Sequence, residues 1–178
     1  DAMELRLPGV QQELAEEIFR LGKPIITVII AGRPYAVPQI AEQSQALLWA
    51  FYPGPMGGRA IGELLTGQLS PSGRLPVSLP RSTGGLPCYG NHKASYTPGE
   101  APLYPFGFGL SYTEFTLSEP QMPSSISKTA LLAGEKVSLR FRVTNTGQRE
   151  GHAVPQLFLR WRRCPVVPRV KELKAFDK

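Results

Sequence analysis

Residues 10–30, "VQQELAEEIFRLGKPIITVII", set the class of fold. Val10, Leu14, Ile18 and Leu21 recur at helical spacing, and Gln11, Gln12, Glu13, Glu16 and Glu17 take most of the remaining surface. Gly22 stops that helix and Pro24 follows it. Then "IITVII", residues 25–30, runs apolar without a break and is rich in β-branched side chains, which suits a parallel strand buried on both faces. Helix, short loop and buried strand in that order predict a layered α/β domain.

The same alternation continues outward. A weaker helix is expected over about 36–44, and a second apolar run, "ALLWAF", occupies 46–51. The next stretch, "YPGPMGGRAIGELLTGQLSPSGRLPVSLP" at 52–80, carries five glycines before Ser70. Glycine-rich turns that open helices often cradle phosphates, so the spacing matters. A P-loop needs a lysine and a hydroxyl directly after its last glycine, and here Arg59 and Ala60 follow Gly58. The triplet of a dinucleotide fingerprint is missing too. The backbone N–H groups of Gly57 and Gly58 could meet an anion, but the plainer reading is a tight turn into a helix. Ile61, Leu64 and Leu65 face inward from that short helix, and Gly67 ends it. "GRLPVSLP" at 73–80 reads as a final edge strand, where proline is best tolerated. The first element is a helix, so earlier strands of this sheet are expected outside the chain.

Residues 81–111 lose all periodicity. Tyr89, Tyr96, Tyr104, Phe106 and Phe108, with Tyr112 just beyond, argue for an ordered segment packed across a surface, since aromatics are rarely spent on solvated linkers. From about 113 the pattern turns to strands. "KVSLRFRVTNTG" alternates Val137, Leu139, Phe141 and Val143 with polar neighbours, the period of a half-buried strand. Asn145-Thr146-Gly147 marks a turn. "AVPQLFLRW" alternates again, with either Val154, Gln156 and Phe158 or Leu157 and Leu159 inward. Short strands with turns between them predict an all-β sandwich of immunoglobulin or fibronectin type III. About 65 residues remain for it against roughly 100 in a full sandwich, so it is expected to be incomplete.

Composition narrows the function. Of 178 residues, 42% are hydrophobic and 19% charged, a globular balance. No run of 18 apolar residues occurs, so no membrane partner is expected. Cys88 and Cys164 stand far apart in dissimilar surroundings, which leaves both a disulfide and two free thiols open and gives no zinc or redox motif. His92 and His152 are the only histidines, neither at metal spacing. No cofactor is expected. Arg160, Arg162, Arg163, Arg169, Lys171 and Lys174 crowd around Trp161, yet a single tryptophan without a nucleic-acid motif reads as a solvated face, and no nucleic-acid partner is expected. The chain opens on Asp1 with no basic-then-apolar leader, and is expected to be a piece of a longer protein.

Five stretches in order resemble the C-terminal part of glycoside hydrolase family 3. They are "DAMELRLPGVQQEL", "KPIITVIIAGRP", "YPGPMGGRAIGELLTGQLSPSGRLPVSLP", "PLYPFGFGLSYTEF", and "VTNTGQREGHAVPQLFL" with "VKELKAF". The resemblance implies an α/β sandwich domain over 1–80, an ordered connecting arm over 81–112 and a fibronectin type III-like domain over 113–178. It implies a fragment of a retaining β-glycosidase that acts on β-glucosides or β-xylosides without metal or organic cofactor. Such chemistry needs two carboxylates flanking the sugar. In the family the nucleophile is an aspartate of a separate barrel, and the acid/base glutamate often sits three residues before the aspartate that matches Asp1. Both are therefore expected outside the chain. Two departures stand out: Ala2 replaces a common arginine, and "LPCYGNHKAS" differs from the usual tyrosine-rich form.

Within the chain, Glu4, Glu13, Glu16, Glu17, Glu63, Glu100 and Glu114 read as surface carboxylates, and no catalytic residue is assigned. His92 and Lys93 are read as structural contacts, with a sugar contact as the other possibility. Arg33 and Arg59 are expected in ion pairs within the domain. Substrate-binding residues, sugar preference and location stay unassigned. The rival reading is a non-catalytic module that binds a polysaccharide or a protein.

Overall fold

A computed structural model describes residues 4–83, 101–162 and 170–178. Helix α1 (Gln11–Phe19) leads into strand β1 (Ile26–Ile29), helix α2 (Pro38–Gln43) and strand β2 (Ala46–Trp49). β1 and β2 pair in parallel, Ile26 beside Ala46 through Ile29 beside Trp49. Parallel neighbours need a crossover, and α2 supplies it. Pro38 sits in the first turn of α2, where a missing N–H costs nothing. The Ser44 hydroxyl at its end donates to the Ile40 carbonyl at 2.6 Å and meets Thr27 Oγ1 of β1 at 2.6 Å.

The core gathers under that crossover. Ile29, Val37 and Ile40 are buried, with Leu7, Ala15, Phe19, Tyr35, Leu47, Trp49 and Leu103 packed around them. Burying one such aliphatic side chain stabilises by about 1.5–3 kcal/mol, so this cluster holds α1, α2 and the two strands together.

Two expectations about burial change here. Among the described residues β1 pairs only with β2, and Ile26 is 53% exposed instead of buried on both faces. The inward stripe of α1 is turned as well. Ala15 and Phe19 touch the core, while Val10, Leu14 and Leu21 are exposed. Both follow from one fact: β1's far edge carries no described neighbour to cover Leu14 and Ile26.

Helix α3 (Gly57–Leu65) follows β2, and Gly67, at φ +74°, ends it as expected. The expected edge strand at 73–80 does not form. Its backbone is tied instead to the aromatic arm: Leu79 N–H donates to Tyr104 C=O at 2.8 Å, Leu75 N–H to Phe108 C=O at 2.8 Å, and Gly107 N–H to Leu75 C=O at 2.8 Å. Only Leu79 and Tyr104 make an isolated antiparallel bridge. Pro76 and Pro80 lack the N–H groups that a continuous ladder requires. Tyr89 and Tyr96 lie outside the described residues, and the aromatics that follow them make ring contacts. Tyr104 stacks on Phe108 at 5.0 Å, and Phe106 meets Phe158 edge-on at 6.2 Å.

Beyond the arm, β3 (Phe115–Gln121) pairs antiparallel with β4 (Arg140–Asn145), and β5 (Gln156–Leu159) with β6 (Glu172–Phe176). A short helix, α4 (Lys128–Leu132), joins β3 to β4, an element the strand pattern did not signal. Ser127 Oγ caps it by accepting from Ala130 N–H at 3.3 Å, and Gly134 follows at φ +87°. The strand expected from Val137 begins at Arg140, and it is exposed along its length instead of half-buried. The β5 ambiguity resolves with Gln156 and Phe158 turned inward and Leu157 and Leu159 exposed. Phe158 packs under Phe106, and Gln156 Nε2 donates to Gly107 C=O at 3.3 Å, so contacts with the arm decide the phase.

Candidate functional site

In open parallel sheets ligands meet the loops at the carboxyl ends of the strands. Here those loops are 31–37 after β1 and 50–56 after β2. They start side by side, since Ala50 N–H donates to Ile29 C=O at 2.8 Å. The segment before α1 crosses the first of them, with Ala36 N–H donating to Leu5 C=O at 2.8 Å. Leu5 N–H in turn donates to Thr83 Oγ1 at 3.2 Å.

The second loop is held in an unusual shape. Phe51 adopts φ +48°, a left-handed conformation that bulky side chains rarely take. Its ring lies 6.3 Å from that of Trp49. Gly54, at φ +71°, completes the turn. Between them Tyr52 is 83% exposed, yet its ring lies so close over Gly32 that a side chain on Gly32 would run into it. Pro53 packs equally tightly on Gly57, where a Cβ would sit 2.5 Å from the proline ring. The glycine leaves room for the Tyr52 ring to lie against the backbone of the neighbouring loop.

Arg33 stands beside it, half-buried, with its guanidinium over the Tyr35 ring at 5.0 Å. The expected ion pair is not made: among the described residues Arg33 has no carboxylate partner. The reason is local, because residues 31–37 and 50–56 contain no Asp or Glu. Arg59 does pair as expected, with Glu63 Oε1 at 2.7 Å one turn along α3. That hydrogen bond, then the charge of Glu63, raises the Arg59 pKa above the usual arginine value.

The anion reading of the glycine pair at α3 finds no support. Gly57 is buried and its N–H is spent on Gly54 C=O at 3.0 Å. The glycines make a turn.

Half of the described carboxylates are tied to cations. Glu17 bonds Arg20, Glu119 meets Arg142 at 3.0 Å, Glu42 meets Arg81 at 3.8 Å, Glu4 meets Arg6 at 3.8 Å and Glu172 meets Lys174 at 2.6 Å. Glu16 accepts from Gln12 Nε2 at 3.1 Å. Nothing in these contacts sets two carboxylates across a cleft. Glu13 and Glu114 keep their reading as surface groups. His92, Lys93, Glu100, Cys88 and Cys164 lie outside the described residues, as do Asp1 and Ala2. Among the described residues no group of three His, Cys, Asp or Glu could hold a metal ion, and no helix is long and apolar enough to cross a membrane.

Two further features flank the loops. An open groove of about 890 Å³ runs between α1 and β1, lined by Leu14, Ile18, Ile26, Val28 and Tyr52 among others. Trp49 Nε1 is a buried donor with no acceptor among the described residues. At the basic end, Lys171 lies over the Phe158 ring at 4.4 Å and Lys174 pairs with Glu172, so part of that charge is turned to structural use. Sequence reasoning read Arg33 as an ion-paired residue and passed over Tyr52. Its signal was an aromatic between a strand end and Pro-Gly.

Fold and site together define a mixed helix-and-sheet arrangement that presents shaped loops, with no facing pair of acids in the contacts of the described residues. Residues 1–112 match the glycosyl hydrolase family 3 C-terminal domain, and the chain belongs to that family. It is 37% identical over 190 residues to a periplasmic β-glucosidase of Salmonella typhimurium, an alignment covering 98% of this chain and 24% of the relative. It is 36% identical to a β-xylosidase of Formosa agariphila, covering 100% of this chain and 25% of that one. A β-glucosidase structure from Erythrobacter marinus superposes with a TM-score of 0.88 at 40% identity, covering 99% of this chain and 24% of that one. The chain thus spans about a quarter of the length of the relatives it matches.

Proposed function

We propose that this chain forms one wall of a retaining β-glycosidase acting on β-glucosides or β-xylosides, with both reacting carboxylates on polypeptide beyond it. One observation carries the reading: full-length alignment at 36–37% identity to a β-glucosidase and a β-xylosidase, over only a quarter of each. The ion pairing of half the described carboxylates agrees with it. A retaining mechanism needs two carboxyl groups about 5–5.5 Å apart, whereas Glu17, Glu42, Glu63, Glu119 and Glu172 are each held to a cation of their own.

In this reading residues 1–80 are the α/β sandwich domain, 81–112 the connecting arm, and 113–178 a fibronectin type III-like domain. The antiparallel pairs β3–β4 and β5–β6 support the last assignment, and the parallel pair β1–β2 with its crossover helix supports the first. The substrate partner is a β-linked glucoside or xyloside, bound between this wall and the remaining polypeptide.

The test is hydrolysis of an aryl β-glucoside and an aryl β-xyloside by the full-length protein and by the isolated 178 residues. Turnover is expected from the first and none from the second. Turnover by the isolated chain would refute the reading.

A further inference from the structure

We propose that Tyr112 of the arm and Arg149 of the turn after β4 are positioning residues for the loop 50–56, with α3 as the rigid link that joins them to it. The two ends of this helix meet different neighbours. At its start Pro53 packs on Gly57, and Gly57 N–H donates to Gly54 C=O at 3.0 Å. Ala60 N–H donates to Met56 C=O at 3.0 Å. The loop is thus built onto the first turn of α3. At the far end the Tyr112 hydroxyl donates to Leu64 C=O at 2.9 Å, and Tyr112 N–H donates to Ser70 Oγ at 3.0 Å. Arg149 Nη2 donates to Gly67 C=O at 3.2 Å, and its guanidinium lies 5.8 Å from the Tyr112 ring, so the two side chains grip this end as a pair.

Between those ends the helix has little to hold it. Gly57 is the buried residue of α3, Ile61 and Leu64 are half-buried, and Leu65 is 42% exposed. Its nine residues form a hydrogen-bonded rod about 13 Å long. A rod anchored chiefly at its ends passes a loss of order from one end to the other.

The loop needs such holding. Phe51 at φ +48° has left-handed backbone, which persists at a bulky residue only where surrounding structure over-determines it. The packing of Pro53 on Gly57 is part of that structure. Loosening the far end of α3 weakens it, so the loop opens more often, while β1 and β2 stay closed through their own ladder. This ordering does not depend on what the loop binds.

The experiment is amide hydrogen exchange of the full-length protein, read peptide by peptide. Tyr112→Phe removes the hydroxyl that meets Leu64 C=O and keeps the ring, and Arg149→Ala removes the guanidinium. Each is expected to speed exchange over 54–60, where the Gly57 and Ala60 amides bond to loop carbonyls, by about fivefold, the effect of losing one hydrogen bond or helix-end contact. Exchange over 25–30 and 44–49 is expected to stay as in the parent. Arg142→Gln breaks the pair with Glu119 on β3 and β4 away from α3, and is expected to leave 54–60 unchanged. Faster exchange confined to 61–69, a uniform rise across the protein, or no change over 54–60 would each overturn the proposal.

Discussion

Arg149, just past the end of β4, reaches back 82 positions to donate from Nη2 to the carbonyl of Gly67 at 3.2 Å. Gly67 ends α3, where unpaired carbonyls and the helix dipole favour a cation. The same guanidinium lies 5.8 Å from the Tyr112 ring, and the Tyr112 hydroxyl donates to Leu64 C=O at 2.9 Å. One turn between strands thereby grips the end of a helix in the other half of the molecule. Arg149→Ala is expected to cost about 1 kcal/mol, less in high salt because the site is exposed. Arg149→Lys restores only part, since an ammonium cannot span the carbonyl and the ring in the same way. Thermal unfolding at low and high salt checks both. A loss that does not shrink with salt would contradict the electrostatic share.

Gly109 marks a second point of contact. A Cβ there would collide with the Gly73 carbonyl and approach Arg74 Cδ at 3.0 Å. The obstacle is backbone, which cannot swing aside. Gly109→Ala is expected to destabilise by about 1–3 kcal/mol, the usual range for overpacking. Gly73→Ala meets open space and is expected to stay within about 0.5 kcal/mol. Denaturant midpoints of the two variants, side by side, give the answer. Arg74 itself donates to Gly73 C=O at 2.9 Å and to Ser111 Oγ at 3.3 Å, and burial lowers its pKa without removing its charge at neutral pH.

The pair Arg59–Glu63 yields a statement about pH. The folded-state pKa of Arg59 is raised above the ordinary arginine value, chiefly by the hydrogen bond to Glu63. A raised pKa on a base stabilises fully below the unfolded value and is lost only as pH climbs through the folded one. For Arg59 that window lies above the ordinary arginine range, far from neutrality. The small penalty of Arg59→Gln is therefore expected to be the same at neutral and at mildly alkaline pH. A penalty that changes between those two conditions would show that another group is involved.

Much of this was legible beforehand, and the exceptions have physical causes. α1, β1, α2, β2 and α3 appear where periodicity, Gly67 and the apolar runs put them, because each is governed by its own local pattern. The segment 73–80 misleads because its apolar residues suggest a strand, while Pro76 and Pro80 remove the donors that would extend one. Its partner, the arm from Leu103 to Phe108, lies some thirty residues on, beyond the reach of any local pattern. Burial failed for a different reason: alternation in β4 reveals a face without saying what covers it, and Phe141 is 45% exposed. The site was partly visible. Arg33 was expected in an ion pair, and its lack of an acid followed only from two loops meeting, while Tyr52 drew notice only once Gly32 lay beneath it.

Asn145 supplies the last test, because it holds the turn from which Arg149 reaches. Its Oδ1 accepts from Thr113 Oγ1 at 2.7 Å and from Gly147 N–H at 3.0 Å, and its Nδ2 donates to Arg149 C=O at 2.8 Å. Thr113 is buried, so removing its acceptor strands a hydroxyl away from water. Asn145→Ala is expected to cost about 1–3 kcal/mol. Asn145→Asp keeps the acceptors and loses the donor to Arg149 C=O, so an intermediate cost is expected. Residues in one hydrogen-bonded network couple by about 0.5–3 kcal/mol. The double variant Asn145→Ala with Arg149→Ala is accordingly expected to lose less than the sum of the singles, because once the turn is loosened the guanidinium no longer sits over Gly67. Unfolding free energies of the four proteins in a cycle measure this directly, and strict additivity would mean that the turn and the helix end are gripped independently.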